Sequence, residues 1–87
     1  HRANRWPEAQ QHFHAALADA KYAAARFNYG TALAERGEVK PAERYLREAI
    51  QLDPALVDAY LNLSNLLLTS NRAAQAVAPL ETVLRLR

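Results

Sequence analysis

An internal repeat with a period of about 34 residues runs through the sequence and constrains its fold more than any other feature. Residues 27–53 align with residues 61–87 without a gap. A third, incomplete copy precedes them, in which Asn4, Ala9, Phe13 and Ala16 align with residues of the next copy at a spacing of 33. A period of this size indicates stacked supersecondary units, each burying its apolar face against a neighbour. The pairs that stand one repeat apart are Asn28 and Asn62, Gly30 and Ser64, Leu33 and Leu67, Gly37 and Asn71, Ala42 and Ala76, Leu46 and Leu80, and Leu52 and Leu86.

Within each unit the apolar residues follow the period of an α-helix. Ala42, Leu46, Ala49 and Ile50 lie on one face of a helix, and the same spacing recurs one repeat later. The composition agrees, because the chain has 19 Ala and 13 Leu against 5 Val plus Ile, and Ala and Leu favour helix over strand. The sequence predicts an all-α fold of five helices, at residues 6–19, 23–36, 39–52, 57–70 and 73–86.

Helix-breaking residues mark the ends of these helices. Gly37 and Asn71 are residue types that adopt the left-handed conformation after a helix. Pro41 is expected in the first turn of its helix, and Asp53-Pro54 is expected to end that helix. Pro79 stands about two turns into the last helix, so it should kink the helix or shift its start.

The spacing and the residue types resemble the tetratricopeptide repeat, whose pattern is W-x2-L-G-x2-Y, then A-x3-F, then P. The resemblance implies antiparallel helix–turn–helix repeats stacked as a right-handed α-solenoid in one domain. Residues 1–22 would be a partial repeat, 23–56 a full repeat and 57–87 a nearly full one, all cut from a longer array. Arg26 departs from the pattern by filling the aromatic slot. The matching residues of the first copy are Tyr29, Gly30, Leu33, Ala42, Leu46 and Pro54, those of the second are Tyr60, Leu63, Ser64, Leu67, Ala76 and Leu80, and Ala9 and Phe13 belong to the partial copy.

The resemblance also implies a function, since such arrays bind partner proteins in a groove lined by the first helix of each repeat. Asn28 and Asn62 would stand one repeat apart on this wall, as in the asparagine ladder of scaffolds similar to O-linked N-acetylglucosamine transferase. A carboxamide can donate to and accept from a peptide backbone, but the same residues can instead brace neighbouring helices. The peptide-binding residues transferred to this chain are Phe27, Asn28, Thr31, Ala34, Glu35, Asp58, Leu61, Asn62, Asn65, Leu68 and Thr69.

The charges and apolar residues of this wall limit the kinds of partner segment that it can bind. Glu35 and Asp58 make it neutral to acidic and it has no Lys, so the carboxylate clamp of chaperone-tail binders is not expected. Phe27, Leu61 and Leu68 lie among polar residues. They favour a partly apolar extended segment or a helix as the ligand, unless they pack against adjacent helices instead.

Composition and motifs exclude several other functions. The net charge is +2 and basic residues are not clustered, so neither nucleic acid nor membrane insertion is expected. His12 and His14 are two residues apart, whereas a metal pair on a helix needs a spacing of about four. No catalytic motif, cofactor motif or phosphate loop is present, and the chain is not expected to be an enzyme. The Ala- and Arg-rich usage is typical of a bacterial gene, and the compartment, cytoplasmic or periplasmic, stays open.

Self-association is the alternative function. The apolar residues Ala9, Phe13, Ala16 and Leu17 at one end and Leu80, Val83, Leu84 and Leu86 at the other carry no polar cap. The stretch from Glu8 to Tyr29 has no Gly or Pro. The first two helices can therefore fuse into one long helix that reaches a second chain, forming a domain-swapped or end-to-end homodimer.

Overall fold

The computed structural model describes the backbone of residues 2–87 and the side chains of residues 19–87. Residues 2–87 form four α-helices and no strand: α1 (Arg2–Glu35), α2 (Val39–Leu52), α3 (Val57–Thr69) and α4 (Ala73–Leu86). The all-α prediction is confirmed, and the last three helices agree with their predicted bounds to within one residue. The predicted count of five helices is wrong, because the segments 6–19 and 23–36 belong to the single helix α1.

The fusion of the first two predicted helices has a local cause. The second junction contains Asp53-Pro54, and the residue before a proline is pushed out of the α region. Asp53 accordingly has φ −141° and ψ 88°, and α2 ends at Leu52. The first junction has no proline in the corresponding positions, which are Asp19 and Ala20 at a spacing of 34 or Ala20 and Lys21 at the spacing of 33 found for the partial copy. Alanine is the strongest helix former, so the helix continues, as the fusion hypothesis anticipated.

Several sequence predictions concern side chains outside the described residues. They are the apolar residues Ala9, Phe13, Ala16 and Leu17 and the histidines His12 and His14. The structure gives no contacts for these side chains.

The turns after α1 and α3 have the same hydrogen bonds, one repeat apart. Gly37 has φ 79° and Asn71 has φ 65°, which confirms the predicted left-handed residues. The amide after each one donates back into its helix, from Glu38 to the carbonyl of Leu33 at 2.9 Å and from Arg72 to that of Leu67 at 2.8 Å. This 6→1 bond is the mark of the Schellman motif, which ends a helix at a left-handed residue.

The helices form two hairpins, α1 with α2 and α3 with α4, and α2 packs against α3. The core at this junction contains Leu33, Leu46, Leu63 and Leu67 together with two alanines, Ala42 and Ala76. Every hairpin therefore supplies residues to one shared core, as expected of stacked helical units.

Small residues bring the two helices of each hairpin close together. A Cβ on Gly30 would lie 3.1 Å from Cγ of Leu46 and 3.2 Å from the carbonyl oxygen of Ala42, so a larger side chain would push α2 away. Ser64 takes the same slot one repeat later. It is fully buried, and its hydroxyl donates to the carbonyl oxygen of Tyr60 at 2.7 Å, which satisfies the polar group inside the core.

The prolines of the second helices fit inside their hairpins. Pro41 lies in the first turn of α2, as predicted, where a missing N–H costs little. Pro79 lies inside α4, which still begins at Ala73. Of the two effects predicted for this proline, the shift of the helix start is therefore excluded, and the kink stays a prediction. Pro79 removes one backbone hydrogen bond, and its ring is buried, where packing contributes to the stability of the helix.

Candidate functional site

A shallow depression lies between α1 and α3, the first helices of the two hairpins. Its volume is about 300 Å³, at the lower end of the range for ligand clefts. Six of the residues predicted for the groove line it: Thr31, Ala34 and Glu35 from α1, and Asn62, Asn65 and Thr69 from α3. The repeat brings these residues together, because it places α1 and α3 side by side in the same orientation.

A hydrogen bond joins the two sides of this depression. Nδ2 of Asn62 donates to the hydroxyl oxygen of Thr31 at 2.8 Å. The contact braces α3 against α1, which is one of the two roles considered for the asparagines. A carboxamide has two N–H donors and a carbonyl acceptor, so one donor and the acceptor of Asn62 can still bind a further group.

The other predicted groove residues take different positions. Phe27 is half-buried and packs against the core, and Leu61 is half-buried on α3. Asn28 on α1 and Asp58 in the first turn of α3 are exposed, and Leu68 is 47% exposed. None of these five residues lines the depression.

One further residue, Leu66, lines the depression and is not among the residues predicted for the groove. Helical spacing places Leu66 on this side of α3, because residues 62, 65, 66 and 69 follow the i, i+3, i+4, i+7 pattern of one helix face. Leu66 also belongs to the core, so it forms an apolar floor under the polar rim.

The charge of the site is acidic. Glu35 is the one charged side chain among the residues that line the depression, and Asp58 lies exposed on the same helix as Asn62. A depression with one carboxylate, two carboxamides and two hydroxyl groups offers hydrogen bonds to a polar backbone and attraction to a cationic side chain.

Ion pairs hold the hairpins together outside this depression. Arg72, at the N-terminus of α4, donates to both carboxylate oxygens of Glu43 on α2, and Arg47 donates to the same carboxylate at 3.0 Å. The hydrogen bond from Arg72 lowers the pKa of Glu43 below its ordinary value of 4.5, and burial opposes this effect. Arg26 on α1 pairs with Glu48 on α2 at 3.0 Å, within the first hairpin. No Lys or Arg is among the described residues that line the depression.

Among the side chains of residues 19–87, the Asp and Glu residues form no group of three that could hold a metal ion. None of the helices in the described part of the chain is both long enough and apolar enough to span a membrane.

The stacked hairpins, the repeated turns and the groove between first helices define a helical-repeat protein. Residues 23–56 match the family model of the tetratricopeptide repeat. This match covers the last part of α1, all of α2 and the turn that follows, and it supports a tetratricopeptide repeat in this stretch of the chain. Such repeats are generally protein-interaction modules and are typically not enzymes. No curated protein and no solved structure matches this chain.

Proposed function

We propose that the groove between α1 and α3 binds an extended segment of a partner protein, and that residues 57–87 form a second repeat stacked on the first. The observation that carries the proposal is the polar depression around Asn62. An extended peptide has unpaired N–H and C=O groups along its backbone. The second N–H and the carbonyl of Asn62, with the carboxamide of Asn65, can pair with them.

The partner segment is neutral or basic. Glu35 and Asp58 are the charges on this wall, so an acidic segment would be repelled and a Lys or Arg beside Glu35 attracted. The floor of Ala34 and Leu66 accepts one small apolar side chain between the backbone contacts.

The test uses peptides selected from a random display library against the whole chain. Asn62→Ala and Asn65→Ala should each weaken binding of the selected peptides about fivefold, since a hydrogen bond contributes about 1 kcal/mol. Thr31→Val removes the brace and keeps both carboxamides, so it should retain most of the affinity. The matched control is Gln51→Ala, which removes an exposed carboxamide from α2.

The two roles of Asn62 are separated by measuring stability alongside binding. If Asn62→Ala and Thr31→Val lower the free energy of unfolding equally while Asn62→Ala and Asn65→Ala leave peptide binding unchanged, the asparagines only brace the helices. The groove proposal is then wrong.

Self-association is a second candidate function, favoured by a separate observation. Large apolar side chains are exposed on the outer faces of both hairpins. Tyr29 is 53% exposed on α1, and Leu84 is 78% exposed on α4. Exposed apolar groups that are contiguous on one helix face are typical of contact surfaces between proteins.

A further inference from the structure

A second cleft lies on the other side of α3 from the depression between α1 and α3. Its volume is about 290 Å³, and α2, α3 and α4 all contribute to its lining. Tyr60, which lines it, is two residues from Asn62 in the depression, and two residues are more than half a turn of a helix. Among the described residues, none lines both sites. The cleft can therefore hold a ligand of its own.

The floor of the cleft is apolar. Leu63 of α3 is 1% exposed, Pro79 of α4 is buried, and Ile50 of α2 is half-buried and packs against the core. All three line the cleft. A volume at the lower limit for ligand clefts suits one bulky apolar side chain of a partner.

The rim of the cleft carries positive charge. Arg47 is the one charged side chain among the residues that line it. Nε of Arg47 donates to Glu43 at 3.0 Å, and this bond uses one of the five N–H donors of a guanidinium. Glu43 also accepts hydrogen bonds from Arg72. Because two guanidinium groups share this one carboxylate, Arg47 can bind a second carboxylate.

Polar groups complete the rim on α2 and α4. Gln51 is exposed on α2, and the hydroxyl oxygen of Thr82 on α4 accepts a hydrogen bond from Nη2 of Arg85 at 3.0 Å. A second cation therefore lies beside the cleft. Glu81 lies near Arg85 on a neighbouring part of α4 and is not among the described residues that line the cleft.

The positive charge continues along α2 from the cleft. Lys40, Arg44 and Arg47 are spaced four and three residues apart, which places them on one side of the helix, and all three are exposed. These three residues are named here the basic stripe. In the sequence they alternate with Glu43 and Glu48, so the order of residues alone does not show it.

The two glutamates of α2 are paired with arginines of other helices. Glu43 accepts from Arg72, beside α4, and Glu48 accepts from Arg26 of α1 at 3.0 Å. Their charges are thereby compensated from outside α2, and the basic stripe keeps a net positive charge. This sign is opposite to that of the groove, whose charges are the carboxylates of Glu35 and Asp58.

We infer that the cleft and the basic stripe bind an acidic segment of a partner protein, with one apolar side chain in the cleft and carboxylates along α2. The charge of the stripe fits carboxylates, and the apolar floor fits a side chain such as Leu. A nucleic acid would satisfy the stripe and leave the floor empty, so the floor favours a protein segment. The site is separate from the groove and does not rest on the function proposed for it.

The experiment uses short fluorescent peptides of defined sequence. The first has one Leu between runs of Glu, the second has Ala in place of that Leu, and the third has Lys in place of every Glu. Binding to the whole chain is measured by fluorescence anisotropy. The first peptide should bind about tenfold more tightly than the second, because it buries a larger apolar side chain. The third peptide should be repelled from the stripe.

Amide chemical shifts locate the bound peptide. The first peptide should shift the amides of Ile50, Gln51 and Thr82, which line the cleft. It should leave those of Thr31 and Asn65, which line the groove, unchanged.

Two variants test the rim and the floor separately. Arg47→Gln removes the charge at the rim and should weaken binding of the first peptide about fivefold, as expected for one exposed ion pair. Ala78→Phe fills the cleft from an exposed position of α4 and should remove the preference for Leu over Ala. Circular dichroism checks that both variants keep their helicity.

Each variant has a matched control. Arg36→Gln removes the same charge from a side chain that is 77% exposed after α1, and Ala74→Phe adds the same ring to an exposed position of α4 outside the cleft. Both should bind the first peptide like the wild type. Asn62→Ala, which tests the groove, should also bind it like the wild type.

Three outcomes overturn the inference. Equal binding of the Leu and Ala peptides would mean that the cleft receives no apolar side chain. Equally tight binding of oligothymidylate would mean that the stripe is a general anion-binding surface. Shifts at Thr31 and Asn65 in place of the cleft amides would mean that the acidic peptide occupies the groove. The first two results leave the groove proposal untouched, and the third contradicts the charge preference proposed for the groove.

Discussion

Glu43 joins the two hairpins through a single carboxylate. Its oxygens accept hydrogen bonds from Arg72, beside α4, and from Arg47, one turn along α2. The bonds from Arg72 are the largest cause of its lowered pKa. The charged form of Glu43 is therefore bound more tightly in the folded chain than in the unfolded one, which links its ionisation to stability.

This linkage predicts a pH dependence for the Glu43→Gln variant. The pKa of Glu43 is lowered on folding, so its contribution to stability is complete above the ordinary value of 4.5 and is lost as the pH falls through the folded value. At neutral pH the variant should unfold at lower denaturant concentration than the wild type. The difference between the unfolding midpoints of the variant and the wild type should disappear as the pH falls below 4.5. Urea titrations followed by circular dichroism measure these midpoints.

The control for this prediction is Glu35→Gln, which removes an exposed carboxylate from α1. At neutral pH its unfolding midpoint should stay close to that of the wild type. If Glu43→Gln and Glu35→Gln lower the midpoint equally at neutral pH, the hydrogen bonds from Arg72 do not act as the structure indicates.

Asn28 and Asn62 show how far a repeated residue can be interpreted without coordinates. The repeat places both asparagines on first helices, and the sequence left a peptide-holding role and a bracing role open for each. In the folded chain Asn62 reaches the Thr31 hydroxyl on the adjacent hairpin, whereas Asn28 is exposed on the outer side of α1. Which contact each asparagine makes therefore depends on whether another hairpin packs beside it, and the identity of the residue does not show this.

Some helix boundaries have a local cause, in single residues, and others have a non-local cause, in packing. Gly37, Asn71 and Asp53-Pro54 end their helices through backbone conformation alone, so the bounds of α2, α3 and α4 could be predicted from single residues. The first junction has no such residue. Whether its alanine-rich stretch continues or turns depends on helix propensity against packing, and this balance cannot be read from the period of the repeat.

The second junction has a proline after its aspartate and the first has an alanine there. One substitution removes this difference. Ala20→Pro restores the Asp-Pro pair at residues 19–20, in the slots of Asp53 and Pro54. The change should interrupt α1 near residue 19 and should leave the free energy of unfolding of residues 23–87 nearly unchanged. Backbone chemical shifts would show the loss of helix at residues 17–21, while those of α2 and α3 stay as in the wild type.

The matched control for this substitution is Ala24→Pro, one turn further along α1. It lies inside the matched repeat, alongside the buried Ala23, so it should lower the free energy of unfolding by about 3 kcal/mol. If Ala20→Pro destabilises the chain as much as Ala24→Pro does, the continuity of α1 supports the fold and the junction is not an independent element.

At the scale of the whole molecule, the helices are arranged in a line of neighbours. α2 packs against both α1 and α3, and α3 packs against α4 as well. The backbone of α4 lies beside α3 alone among the described helices. In such an arrangement stability is nearly a sum of hairpin terms and nearest-neighbour terms, so the elements with one neighbour open before those with two.

This arrangement predicts a gradient of hydrogen exchange along the chain. The amides of Leu46 on α2 and Leu67 on α3, whose side chains are fully buried, should exchange only through global unfolding. The amide of Leu84 on α4 should exchange through local opening, at a free energy about 2 kcal/mol lower. Equal protection of all three amides in dilute solution would mean that the chain unfolds as one cooperative unit, against the nearest-neighbour picture.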